Sequence, residues 1–91
     1  MNTYTFIMEF RGGTYISQIN ANNLKEGLID WCKNLDVSEI KYLGEKNKGE
    51  LLSIIDSEIP TPINTVINVW HFSIGIKAGF LMVNIVKTDV T

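Results

Sequence analysis

At 91 residues the chain has the length of one globular domain, spanning 1–91, and leaves no room for a second. A hydrophobic fraction of 45% beside 20% charged residues excludes a disordered chain. With 8 basic against 10 acidic residues the net charge is −2, which argues against nucleic acid as a partner, since phosphate-backbone binders carry a basic surplus.

Met1-Asn2-Thr3-Tyr4 has no basic stretch leading into an apolar one and reads as the start of a strand rather than a signal peptide. Residues 4–10 alternate, with Tyr4, Phe6, Met8 and Phe10 on one side and Thr5, Ile7 and Glu9 on the other, which predicts a strand. Arg11-Gly12-Gly13 then supplies a tight turn, the adjacent glycines providing positive φ, and Thr14 to Asn20 is the second strand of a hairpin.

The period changes next. Leu24, Leu28, Trp31 and Leu35, broadened by Ile29 and Cys32, form one face of an amphipathic helix capped by Asn23, with Glu26 three residues on. Gly27 costs this helix about 1 kcal/mol relative to alanine and marks a close approach to the sheet. Residues 36–59 admit two readings. Ile40 and Tyr42 alternate with lysine as in a short strand, whereas Lys48, Leu51, Leu52 and Ile55 fit a helical face, and a second helix over 46–57 is the favoured one. Pro60 and Pro62 impose an extended connector.

Thr65 to Ile74 and Phe80 to Thr88 are β-branched and aromatic, with Gly75 and Gly79 bracketing the turn of a second hairpin. The expected fold is therefore α+β: an antiparallel four-stranded sheet with two helices on one face, in the order ββααββ. The last hairpin is apolar on both sides. Ile67 and Val69 oppose Trp70, Phe72 and Ile74, and Leu81, Val83 and Ile85 oppose Phe80, Met82 and Val86. Two helices cover one face only, so the other needs a protein partner, self-association as a homodimer through a sheet face, or the connector at 58–65 folded over it.

No motif for chemistry emerges. Cys32 and His71 are the only thiol and imidazole, but Cys32 lies in the apolar stripe of a helix and His71 between two strand aromatics, so packing outweighs a catalytic dyad. One histidine and one cysteine cannot complete a four-ligand zinc site, and Asp56, Glu58 and Asp89 lack the spacing of a calcium loop. Gly12-Gly13 opens no helix and is not a nucleotide loop. Lys33, Lys41, Lys46 and Lys48 read as a solvated face. No catalytic, cofactor or metal residue is assigned.

The candidate interface or pocket residues are Arg11, as an exposed anion contact, with the aromatics Tyr15, Tyr42, Trp70 and Phe72. For Trp70 and Phe72, core packing is the stronger reading.

The opening strand, glycine turn, strand and helix are similar to the start of the HicB-type antitoxins over about a third of the chain. The proline–glycine–cysteine segment that this family carries after its second strand is absent, so the resemblance implies architecture and transfers no residue. The expected function is a small protein-interaction module, an inhibitor of the immunity or antitoxin type in its sharper form. The alternative is a small-ligand binding or regulatory domain with a pocket lined by Trp31, Tyr42 and Trp70. A lone cysteine, which excludes an internal disulfide, and the absence of a membrane-length apolar run give the expectation of a cytoplasmic protein without a membrane partner.

Overall fold

In the computed structural model, which describes residues 1–89, β1 (Asn2–Phe10) and β2 (Gly13–Ala21) pair antiparallel in unbroken register from Asn2↔Ala21 to Phe10↔Gly13. Arg11 and Gly12 make the turn, at φ 48° and 84°. Two central residues in the left-handed region define a type I′ turn, whose twist matches that of the strands it joins. The positive φ therefore falls on Arg11 and Gly12, and Gly13 is already the first residue of β2.

The first helix, α1 (Leu24–Lys33), starts where Asn23 accepts the Glu26 backbone N–H at 2.9 Å. Its buried face carries Gly27, Leu28, Trp31 and Cys32. A Cβ on Gly27 would stand 3.1 Å from the Tyr4 ring, so this glycine does let the helix approach the sheet closely. Residues 37–43 are turns rather than a strand, with Ile40 and Leu43 buried and Tyr42 in the left-handed region at φ 71°. The second helix, α2 (Gly44–Ile55), begins and ends two residues earlier than its periodicity suggests and buries Leu51 and Ile55.

The four-stranded expectation is corrected here. The sheet has five antiparallel strands in the spatial order β2-β1-β5-β4-β3, and the chain order is β1β2α1α2β3β4β5. The added strand is β3 (Thr61–Pro62), which pairs with His71 and Trp70 of β4 (Val69–Ile76). The two prolines that mark a connector in the sequence also suit an outer strand, where a missing N–H faces solvent and breaks no ladder. Thr65 and Asn68, at φ 73° and 62°, reverse the chain, and the Ile63 N–H donates to the Val69 carbonyl at 3.0 Å. Hence β4 starts at Val69 rather than at Thr65, and the connector extends the sheet sideways. Gly75 lies within β4, opposite Phe80 of β5 (Gly79–Lys87), and the turn between them is Lys77-Ala78.

Strand alternation sorts the side chains onto two faces. Tyr4, Phe6, Met8, Phe10, Phe72, Ile74, Leu81, Val83 and Ile85 are buried and join the helix residues in one core. At its centre Trp31 stacks on Phe6, with ring centroids 5.1 Å apart, and meets Phe72 edge-on at 5.9 Å. The opposite face carries Ile7, Ile16, Met82 and Phe80 among threonine, glutamine, asparagine and histidine, and Ile16, Phe80 and Met82 are exposed. Among the described residues no helix is long and apolar enough to cross a membrane.

Candidate functional site: the free edge of β2

The hairpin turn fixes which backbone groups of β2 are free. In a two-residue hairpin the flanking pair, here Phe10↔Gly13, exchanges both of its hydrogen bonds, and bonded pairs alternate from there. Tyr15, Ser17 and Ile19 therefore bond to Met8, Phe6 and Tyr4 of β1. Thr14, Ile16, Gln18 and Asn20 direct their N–H and C=O groups away from it. Because β2 is the outermost strand, no other strand takes up those groups.

Edge strands normally carry a charge, a proline or a bulge that prevents another chain from pairing with them. The segment GTYISQINA contains no charged residue and no proline, and its register with β1 has no bulge. Its longer polar side chains turn inward instead of shielding the edge. Gln18 Nε2 donates to Thr5 Oγ1 at 3.0 Å, and Asn20 Oδ1 accepts from Thr3 Oγ1 at 2.7 Å.

Along this edge runs a groove of about 760 Å³, lined by every residue from Thr14 to Asn20 and, across from them, by the C-terminal part of α1 and the turn that follows. Met8, Trp31, Leu35 and Ile40 contribute its apolar floor. Asp30, Asn34, Asp36 and Glu39 form the far wall, and no lysine, arginine or histidine lines the groove. Asp36 is held ionised, its pKa lowered by hydrogen bonds from the Ser38 hydroxyl at 2.6 Å and the Ser38 N–H at 3.0 Å, with Lys48 adding a weaker attraction. The one ion pair among the described residues is Lys87–Asp89, so none of the three wall carboxylates is neutralised in that way.

The candidate residues taken from the sequence divide into two groups. Arg11, Tyr15 and Tyr42 gather at the turn end of the first hairpin. The Arg11 guanidinium lies over the Tyr42 ring at 4.4 Å, and the Tyr15 hydroxyl accepts the Lys41 N–H at 3.3 Å. Trp70 and Phe72 face the helices instead: Phe72 is buried against Trp31, and Trp70 packs edge-on against Tyr4 at 6.3 Å. Of Trp31, Tyr42 and Trp70, named for a ligand pocket, only Trp31 lines the groove, together with Tyr15.

Cys32 and His71 sit on opposite sides of the sheet. Cys32 is fully buried in α1, where desolvation pushes its thiol up to about 11 against a weaker opposing pull from Lys48. His71 lies on the helix-free face with Nδ1 2.8 Å from Asn84 Oδ1. Among the described residues no three His, Cys, Asp or Glu side chains group closely enough to hold a metal ion.

The wall carboxylates and the outward groups of Ile16, Gln18 and Asn20 are absent from the sequence-derived set. The uncharged, proline-free run at 13–21 is their one sequence signal, and it gains meaning only once β2 is known to be an edge. Comparison with protein-family models, with curated proteins and with solved structures finds no match. The likeness of the opening segment to the HicB-type antitoxins thus rests on element order alone.

Proposed function

We propose that this protein is a protein-interaction module that binds an extended segment of another protein as an added strand on β2. The observation that carries this reading is the nine-residue outer strand without charge, proline or bulge. Such an edge offers main-chain hydrogen bonds as the source of affinity, while the adjoining groove reads the side chains of what is bound. Occupying a segment of a partner in this way is also how a small domain inhibits it, the immunity- or antitoxin-type role.

A proline at position 18 tests this reading. It removes an N–H that points to solvent and leaves the ladder to β1 intact. The native protein is expected to retain a partner from a lysate of its source cells, with slowed amide exchange at Thr14, Ile16, Gln18 and Asn20 in the complex. Gln18→Pro is expected to lose that partner while its thermal unfolding stays cooperative. A partner held equally by both forms, or no partner for either, removes the proposal.

A further inference from the structure

We infer that the segment received by β2 sets basic side chains on the helix side of the sheet and an aliphatic one against Ile16, an inference that rests on the reading of β2 as a docking edge. A strand added beside β2 splits its side chains between the two faces of the sheet, each lying next to the β2 side chain of the same face. On the helix side its neighbours are Tyr15, Ser17 and Ile19, and beyond them Asp30, Asp36 and Glu39 with no basic residue in the lining. Ser17 is small and exposed, which leaves room there for a long side chain. Lysine or arginine at these positions lays its methylenes along Tyr15 and Ile19 and brings its charge to the carboxylates.

On the other face the neighbours are Thr14, Ile16, Gln18 and Asn20, of which only Ile16, 66% exposed and paired across the sheet with Ile7, is apolar. An aliphatic residue beside Ile16 extends that apolar pair outward and covers it.

A second copy of the chain fits this edge poorly. A two-fold pairing of β2 with itself sets both groups of wall carboxylates on the same side of the joined sheet, with no basic residue in either groove lining between them.

The test uses three fluorescent peptides as long as β2: lysine alternating with valine, glutamate alternating with valine, and lysine alternating with serine. The lysine–valine peptide is expected to bind saturably, with the other two weaker by roughly tenfold or more. Asp36→Asn combined with Glu39→Gln is expected to weaken it several-fold while keeping the Asp36–Ser38 turn, since asparagine accepts the same bonds. Gln18→Pro, or Ile16→Pro should the first variant not fold, is expected to abolish binding at unchanged net charge.

Equal or tighter binding of the glutamate–valine peptide, lost in the proline variant, overturns the basic partner and leaves the docking edge standing. Lysine–valine binding that survives both prolines is adhesion by charge alone and overturns the inference. A dimer that the proline variant dissociates names a second copy as the occupant and overturns it equally. Binding of none of the peptides removes both the inference and the docking edge.

Discussion

The Arg11 guanidinium carbon lies 4.4 Å from the centroid of the Tyr42 ring, and both residues hold left-handed backbone conformations, at φ 48° and 71°. Arg11 Nη1 also donates to the Ala78 carbonyl at 2.9 Å. One side chain thus joins the turn of the first hairpin, the turn preceding α2 and the turn of the second hairpin. Each left-handed residue costs roughly 1–2 kcal/mol, so the contacts between the two offset part of the strain that their own backbones carry.

A double-mutant cycle with Arg11→Ala and Tyr42→Ala measures this relationship. The expected coupling is about 0.5–1 kcal/mol in urea-unfolding free energy, the range for a cation over an exposed aromatic ring. Arg11→Gly is expected to be milder than Arg11→Ala, because glycine relieves the backbone while losing the same contacts. Strict additivity of the two alanine substitutions excludes the interaction as a stabilising one.

The two glycines in helix interiors predict unequal responses to alanine. Gly49 lies in the exposed interior of α2, and a Cβ there meets nothing within 4 Å. Gly49→Ala is expected to raise stability by about 1 kcal/mol, the propensity difference in a helix. Gly27 has the same propensity deficit, but its new Cβ would stand 3.1 Å from the Tyr4 ring, and Tyr4 is buried beside Trp70. Gly27→Ala is therefore expected to gain less than Gly49→Ala, and Gly27→Val to be clearly destabilising. Equal gains at the two positions, read from thermal unfolding, contradict the close approach of α1 to β1.

What the sequence made legible was local. Alternation locates both hairpins, the cap and stripe locate α1, and Gly27 on the buried face of that stripe marks the close approach to Tyr4, whereas Gly49 in α2 has no neighbour that needs its space. The fifth strand was illegible because two residues carry no period, and because prolines that break a central strand are acceptable in an outer one. The last hairpin is legible, but composition alone starts it at Thr65, before the reversal at Thr65 and Asn68, because the composition stays β-like while the backbone turns. The groove was illegible for a different reason. Asp30, Asp36 and Glu39 gain a common direction only when α1 is laid beside β2, and β2 becomes an edge only when β5 inserts on the other side of β1.

The buried thiol predicts a pH dependence with a definite sign. Cys32 has an ordinary pKa of 9.0 and one of about 11 in the folded protein, raised by desolvation. Between these values the unfolded chain loses the thiol proton and the native protein keeps it. The stabilisation is fully present below pH 9 and declines as the pH rises through 9 towards 11. Relative to the native protein, Cys32→Ala is expected to show a shallower loss of unfolding free energy over this interval, on top of a lower absolute stability from the lost packing. The thiol is also expected to resist alkylation at pH 8 until urea exposes it. Rapid labelling of the folded protein contradicts its burial.

The alternation along β2 gives a prediction at single-residue resolution. If Phe10↔Gly13 is the bonded pair closing the hairpin, the amides of Tyr15, Ser17 and Ile19 are held by carbonyls of β1, and those of Thr14, Ile16, Gln18 and Asn20 meet solvent. Hydrogen exchange of the free protein is expected to follow that alternation, slow at 15, 17 and 19 and fast at 14, 16, 18 and 20. Proline substitution reads the same pattern through stability. Ser17→Pro removes a ladder bond and leaves the buried Phe6 without its partner, at a cost about 1–3 kcal/mol greater than that of Gln18→Pro. Slow exchange at all seven amides in a dilute monomer means that the edge is already covered. The inverse alternation shifts the free groups by one residue and moves the docking edge to the odd positions.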